Sequence, residues 1–305
     1  MSSLNSSVLA AVAAMTILAA PATALPDRAH YRPAPRIQIS FRPSGLITPE
    51  VDLRPQINNL GLAIRDQGDR GTCSVFATTF ILEFAEASTR SARGLDLSEE
   101  YLNWAKNKAN NTSFDGGFFT EILAGYTSYG MVREADMPYQ ASYNSANPDR
   151  PSPAMIRAGR QFDQFPVRFI KQWDNQHGMT QAELGAAKAA LRDGTPVATG
   201  IWWLTNFETV TVDRVPLLKE YPRSANNHTD PSKNPMFDGH SIDLVGYHEG
   251  SQFPGGGYFI FRNSFGTGFG HDGYGFVSFD YMLNYSNDAI VAGPARRGWT
   301  QPRYH

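Results

Sequence analysis

The chain has 305 residues, 41% of them hydrophobic and 18% charged, with a formal net charge of −2. This composition predicts a packed globular core, in one large domain or two lobes, and argues against intrinsic disorder. The near-neutral charge, without any run of basic residues, argues against nucleic acid or an anionic membrane as a partner.

An apolar stretch at residues 8–20 is too short to span a bilayer as a helix. Ala22-Thr23-Ala24 follows it with the small-x-small pattern of a cleavage site, so residues 1–24 are predicted to be a signal peptide. No Lys or Arg precedes the apolar stretch, which leaves a hydrophobic anchor or a mistaken start codon as alternatives. The signal predicts a secreted or periplasmic protein that is free of the membrane after cleavage.

Residues 25–48 are rich in Pro and Arg and show no helical or strand period. This pattern predicts a short leader or pro-segment. Folded sequence is expected to begin near Pro49.

Helical patterns dominate residues 49–160. The first predicted helix follows Cys73 and runs toward Gly94, because aromatic residues recur there at every fourth position. The second is capped by Ser98, and a third is predicted over residues 120–129.

Residues 161–300 have a strand pattern after one further helix, which a capping box at Thr180-Gln181-Ala182-Glu183 opens. Short apolar runs alternate in period two between turn residues, which favours an antiparallel sheet or barrel. The predicted strands cover residues 197–204, 241–247, 258–262 and 274–279. Residues 205–238 are predicted to be a long polar surface loop.

The predicted fold class is therefore α+β. A helical lobe at residues 49–160 would precede a β-rich lobe at residues 161–300. A cleft between the two lobes is the natural place for a functional site.

Cys73 is the only cysteine, so no intramolecular disulfide can form. Its thiol would lie at the start of the predicted helix, where backbone N–H groups and the helix dipole favour a thiolate. Gly68 and Gly71 permit a tight loop before it, and an N–H at the helix start can donate to an oxyanion. These features predict a reactive nucleophile, with a buried structural cysteine as the alternative.

A series of segments carries a more specific signal. In chain order they are Pro49-Glu50-Val51-Asp52-Leu53-Arg54, Gln67-x5-Cys73, Leu97-Ser98-Glu99-Glu100-Tyr101-Leu102, Asp115-Gly116-Gly117, Met137-Pro138-Tyr139, Gly239-His240-Ser241, Val245-Gly246-Tyr247, Arg262-Asn263-Ser264-Phe265-Gly266 and Gly273-Tyr274. Together they resemble the papain and cathepsin family of cysteine peptidases over about residues 49–280. The resemblance implies the family's two-lobe fold.

The resemblance also implies hydrolysis of peptide bonds through a thiol acyl-enzyme. Cys73 would be the nucleophile, His240 its acid–base partner, and Asn263 the group that orients the histidine. Gln67 and the Cys73 backbone N–H would bind the oxyanion. The substrate would be a peptide or protein. No cofactor is implied, and no spacing of Cys, His or carboxylates predicts a metal site.

By the same resemblance, Gly116 and Gly117 would pair with the backbone of an extended substrate. Phe118 and Phe119 would wall an apolar pocket for the second side chain before the cut, with Ser241 facing them. The alternative is that both aromatics are core residues of the third helix. The predicted substrate-binding residues are Gly116, Gly117, Phe118, Phe119, Gly239, Ser241 and Phe265.

Three positions depart from the family pattern. Ser74 stands where the family has a Trp after the catalytic Cys, and Phe265 and Phe269 replace Trp in the asparagine loop. A catalytically impaired binding protein on the same fold is therefore a second hypothesis, and a peptide ligase that uses the same acyl-enzyme is a third.

Overall fold

The computed structural model describes residues 48–144, 150–203, 208–220 and 238–293. The predicted signal peptide and the predicted leader up to residue 47 lie outside the described residues. Within the described ranges, no helix combines the length and the apolar character needed to cross a bilayer.

Seven α-helices occur within these ranges. They are α1 (Arg54–Leu60), α2 (Cys73–Arg90), α3 (Glu99–Asn110), α4 (Phe119–Tyr129), α5 (Pro153–Arg160), α6 (Gln181–Arg192) and α7 (Phe279–Tyr285). The predicted helices correspond to α2, α3, α4 and α6. Sequence analysis missed α1, α5 and α7, which have only seven or eight residues each and too few turns to establish a period.

Helix boundaries follow local capping chemistry. The Ser98 hydroxyl accepts a hydrogen bond from the Tyr101 N–H at 2.9 Å and begins α3. The capping box between Thr180 and Glu183 begins α6 as predicted. The expected end of α2 at Gly94 is wrong, because Ser91 takes the left-handed conformation (φ 54°) and stops the helix earlier.

Nine strands form one sheet in the described residues. They are β1 (Val51–Asp52), β2 (Val167–Lys171), β3 (Val197–Trp203), β4 (Thr209–Val212), β5 (Val215–Leu218), β6 (Asp238–Glu249), β7 (Gly257–Arg262), β8 (Tyr274–Ser278) and β9 (Ser286–Ala292). The order is β2-β9-β3-β6-β7-β8-β5-β4, with β1 on β6. Neighbouring strands are antiparallel except for β5 and β8. Within the described part of the chain, five of the seven helices lie before residue 161 and eight of the nine strands lie after it, which gives the α+β class expected from the sequence.

The predicted surface loop at residues 205–238 is wrong over its first part, since β4 and β5 form a hairpin there. Asp213 and Arg214 make its two-residue turn with φ values of 45° and 70°, the geometry that matches strand twist. Thr209–Val212 is largely exposed, so it lacks the apolar run by which the other strands were predicted.

The packing of α2 against β3 and β6 positions the functional segments. The first turn of α2 lies against the part of β6 that begins with His240, and β7 continues directly into Asn263. An isolated bridge between Asp66 and Phe265 ties the loop before α2 to the loop after β7. Three segments distant in sequence therefore meet at one place.

Candidate active site

Cys73 is the first residue of α2, and its side chain is half-buried. Burial raises the pKa of the Cys73 thiol. Hydrogen bonds from the Ser241 backbone and hydroxyl, and from the backbone N–H groups of Ser74 and Cys73, act in the opposite direction. The helix start therefore directs two donors at the sulfur and β6 adds a further pair, but burial outweighs all four, so the thiol pKa is raised and the thiolate expected from the sequence is not favoured.

His240 is 3% exposed and lies in β6. Its Nε2 is 2.8 Å from the side-chain oxygen of Asn263. That oxygen also accepts the Ser264 N–H at 2.8 Å, which fixes the orientation of the amide. Nε2 must therefore carry the proton, and the neutral ring presents Nδ1 as its basic nitrogen.

Nδ1 of His240 is buried and has no hydrogen-bond partner among the described residues. It is not hydrogen-bonded to Cys73, although Ser241, the next residue, is bonded to that sulfur. Catalytic hydrogen bonds are often long in unliganded sites and shorten when substrate binds. Burial lowers the pKa of His240 to about 4, and the bond to Asn263 opposes this shift. The ring is therefore neutral at pH 7.

Aromatic rings enclose the histidine. Phe265 stacks on the His240 ring with centroids 4.8 Å apart, and Trp203 lies 4.6 Å away on a tilted plane. Phe269 contacts both of these aromatic rings. The rings exclude water from the bond between His240 and Asn263, which makes the bond stronger. Sequence analysis missed Trp203, whose only signal was its position in a predicted strand.

Gln67 is 3% exposed, and hydrogen bonds hold both its backbone and its side-chain amide in place. Its backbone N–H donates to the Ser264 carbonyl at 2.9 Å, and its side-chain oxygen accepts the Ser264 hydroxyl at 2.6 Å. Its Nε2 donates to the Arg70 carbonyl at 2.7 Å. An amide nitrogen carries two protons, so the bond to Arg70 uses only one of them.

The predicted substrate segment lies directly against the loop before α2. Gly116 has a φ of 60°, and a Cβ there would lie 2.1 Å from the Gly71 carbonyl oxygen. At Gly117 (φ 146°), a Cβ would meet the Glu121 carboxylate at 2.6 Å. Backbone conformation therefore favours glycine at both positions, and at Gly116 the backbone of Gly71 also leaves no space for a side chain.

The two aromatics after this segment differ. Phe118 is 8% exposed and packs edge-to-face on Trp173, with centroids 4.5 Å apart. Phe119 is 1% exposed and belongs to the main hydrophobic core, which gives it a packing role. Ser241 is buried against Cys73, and Gly239 is half-buried one residue before His240.

A buried group of charges lies behind the site, around a small cavity that Ser241 and Asn263 also line. Arg65 forms ion pairs with Glu83, Glu99 and Asp96. The cavity is also lined by Asp243, which is 5% exposed and whose Oδ1 has no hydrogen-bond partner among the described residues. Burial raises the pKa of Asp243 well above its ordinary value. Sequence analysis did not identify this cluster, because its members come from segments that are distant in the sequence.

Other described histidines lie away from these contacts. His177 is 81% exposed beside Asp174, and His271 is half-buried. His248 was expected to face solvent, but its side chain is 12% exposed and 3.0 Å from Glu50. His228 lies outside the described residues. Within the described ranges, no cluster of three or more His, Cys, Asp or Glu side chains is arranged for a metal ion.

A model of the papain family of cysteine proteases matches residues 47–287. The chain belongs to this family. This papain-family chain is 25% identical over 239 residues to cysteine proteinase 1 of Entamoeba histolytica. It is 27% identical over 236 residues to pro-cathepsin H of Bos taurus. Each alignment covers 77% of this chain and 61% of the relative, so the chain spans about three fifths of the length of these relatives.

Solved papain-like structures confirm the expected two-lobe fold. Xylellain, a cysteine protease from Xylella fastidiosa, superposes with a TM-score of 0.62 at 18% identity, covering 88% of this chain and 96% of that one. Digestive procathepsin L 3 of Tenebrio molitor larval midgut gives 0.55 at 22% identity, covering 87% and 76%.

Ser74, which stands where the papain family has a Trp, is buried and contacts neighbouring groups in this papain-family chain. Ser74 is 6% exposed, and its carbonyl accepts the Thr78 hydroxyl at 2.8 Å. Its own hydroxyl would be 3.4 Å from a Cβ at Gly116. The small side chain therefore fits where the glycine segment passes closest to α2.

Proposed function

We propose that this papain-family chain is a cysteine peptidase that uses Cys73, His240 and Asn263 to hydrolyse peptide bonds. The observation that carries the proposal is the 2.8 Å contact between His240 Nε2 and the side-chain oxygen of Asn263, from which the tautomer of His240 follows. Asn263 holds Nε2–H and leaves Nδ1 as a base, while the adjacent Ser241 contacts the thiol at the start of α2. A base beside a nucleophile, oriented by a third group, is the arrangement that covalent catalysis needs.

The chemical steps balance with these groups alone. The Cys73 sulfur attacks the carbonyl carbon while its proton passes to His240 Nδ1, and the carbonyl oxygen becomes an oxyanion. Gln67 Nε2 and the Cys73 N–H stabilise that oxyanion. The imidazolium then protonates the leaving amine, which gives a thioester. Water, deprotonated by His240, hydrolyses the thioester and restores the thiol.

We expect cleavage of a fluorogenic peptide with a bell-shaped pH dependence. A neutral thiol–imidazole pair and a thiolate–imidazolium pair hold the same number of protons. The pH dependence of the cleavage rate therefore has the same bell shape for either pair. The pKa of His240 is lowered to about 4, so activity should be lost as pH falls through that value. Burial raises the pKa of Cys73, so the alkaline limb should lie above about 8.5, the value for a free thiol.

The rate of Cys73 alkylation by iodoacetamide in His240→Ala provides the control, because that variant should follow a single thiol titration. A wild-type cleavage rate that simply rises through the free-thiol range would contradict the pairing. Rapid alkylation without cleavage of any peptide library would favour the binding-protein alternative. Transfer of the acyl group to an added amine in preference to water would favour a ligase.

The substrate-binding set is part of the proposal. Gly116 and Gly117 would offer backbone groups to an extended peptide, next to a pocket bounded by Phe118 and Ser241, with Gly239 and Phe265 beside the catalytic pair. Phe118 already contacts an indole, so the pocket is apolar and a buried unpaired charge in it would be costly. The predicted signal peptide would deliver such an enzyme outside the cytoplasm.

We expect a positional-scanning library to favour Leu, Val or Phe over Arg, Lys or Glu at the second position before the cut. Phe118→Ala should reduce kcat/KM for Leu about 10-fold, since lost apolar contact in a pocket is worth about 1–3 kcal/mol per methylene. Phe119→Ala is the matched control, because that core side chain should lower thermal stability without changing preference. Equal cleavage of peptides that carry Arg and peptides that carry Leu at this second position would contradict the pocket.

A further inference from the structure

Arg70 lies in the loop between Gln67 and Cys73, and its side chain is only 3% exposed. Two of its nitrogens bind the Asp115 carboxylate, at 3.0 and 2.7 Å, in a fork. Another nitrogen binds Glu100 of α3 and also donates to the Gln140 carbonyl at 2.8 Å. One guanidinium therefore joins three segments that are 30 to 70 residues away in the sequence.

The backbone of Arg70 faces the oxyanion side of the site. Its carbonyl accepts Gln67 Nε2 at 2.7 Å. Tyr139, whose ring lies 4.4 Å from the Arg70 guanidinium, closes the same loop. The Tyr139 hydroxyl donates to the Gln67 carbonyl at 2.9 Å and is 2.6 Å from the Thr72 hydroxyl. Both ends of the loop are thus fixed to one phenol.

On the other side of Arg70, Asp115 connects the guanidinium to the predicted substrate segment, Gly116 and Gly117. Asp115 accepts a bond from Asn103 at 3.0 Å, and the side-chain oxygen of Asn103 accepts the Gly116 N–H at 3.1 Å. Gly116 in turn passes so close to Gly71 that a methyl group would not fit between them. The position of the substrate segment relative to the loop is therefore set by Arg70 and Asp115 on one side and by direct backbone contact on the other.

We propose that Arg70 is a positioning residue that holds Gln67 and the Gly116–Gly117 segment at one fixed spacing. This inference rests on the roles proposed above for those residues. Arg70 contacts no substrate, and it acts through Asp115 on peptide binding and through the loop on the oxyanion donor. A guanidinium is suited to this because its planar fork binds two carboxylates and stacks on a ring at once, which an ammonium cannot do.

The two sides can be separated by substitution. Asp115→Asn should raise KM about 10-fold with little change in kcat, because it loosens the substrate segment. Tyr139→Phe retains the ring under Arg70 but removes the hydroxyl from the loop, and should lower kcat about 10-fold with little change in KM. Arg70→Lys should affect both, since small misplacements at a reacting centre can cost up to about 10²-fold.

Kinetic constants should be expressed per titrated Cys73, so that unfolded protein is not counted. Arg90→Lys is the matched control, because Arg90 also pairs with two carboxylates, Glu86 and Asp163, but at the opposite end of α2, about 25 Å from Cys73 along the helix. It should leave both constants unchanged. If Arg70→Lys does not fold, the other two variants carry the test.

A second readout does not require turnover. The rate of Cys73 reaction with a peptidyl chloromethylketone, divided by its rate with iodoacetamide, reports the substrate segment apart from the thiol. This ratio should fall about 10-fold in Asp115→Asn and Arg70→Lys. If the ratio falls about 10-fold in these variants but the wild-type protein cleaves no peptide, the positioning role of Arg70 is supported and the proposed function is contradicted. An unchanged ratio, or equal loss of all rates with loss of titratable thiol, would overturn the positioning role.

Discussion

Replacement of Cys73 by alanine should abolish peptide cleavage, with a fall in kcat of about 10⁴-fold or more. The thiol supplies the bond-forming electron pair, and no other cysteine exists to replace it. Removal of one member of such a catalytic unit typically costs nearly as much as removal of the whole unit. The measurement is steady-state hydrolysis of a fluorogenic peptide by the purified variant.

The fold should survive this change, because Cys73 is half-buried at a helix start and is absent from the hydrophobic core. Thermal unfolding should therefore stay close to that of the wild type. Ser74→Ala, one position further along α2, is the control for local disturbance and should retain activity. Cleavage at the wild-type rate by Cys73→Ala would end the cysteine-peptidase proposal.

The second-largest effect is expected for Gln67→Ala, which should lower kcat about 10²–10³-fold and change KM much less. In the proposed mechanism Gln67 would donate to charge that develops only in the transition state. Ser264 fixes the Gln67 amide so that its nitrogen faces Arg70 and the loop, which leaves one proton for the substrate.

Ser264→Ala should produce a smaller loss, since it keeps the donor and removes only the group that orients it. Comparing the two variants separates the donor from its support. An unchanged kcat with a raised KM in Gln67→Ala would instead assign this residue to substrate binding.

Local signals in the sequence predicted several elements correctly. The caps at Ser98 and Thr180 depend on residues within one helical turn, so they are visible without a fold. Period-two alternation predicted a strand at residues 241–247, which is the centre of β6, although the strand begins earlier, at Asp238, and includes His240. The bond between His240 and Asn263 agrees with the resemblance, while their catalytic roles stay predictions.

The features that sequence analysis missed depend on the register between paired strands and on contacts between residues that are distant in the sequence. Trp203 reaches His240 only because β3 and β6 pair with Ile201 opposite His240, which brings the next residues of β3 to the ring. Arg70 was not among the predicted site residues, because its partners come from α3 and from two later loops. Nothing within a short window indicates such contacts.

The single cysteine also decides how this protein can be handled. Reducing agents protect a reactive thiol from oxidation and cannot break an intramolecular disulfide here, because this sequence has one cysteine. Refolding from denaturant involves no choice among cysteine pairings, and a reducing compartment imposes no barrier to folding. A Cys73→Ser chain would contain no thiol at all, so one new cysteine could attach a spectroscopic label at any chosen surface position.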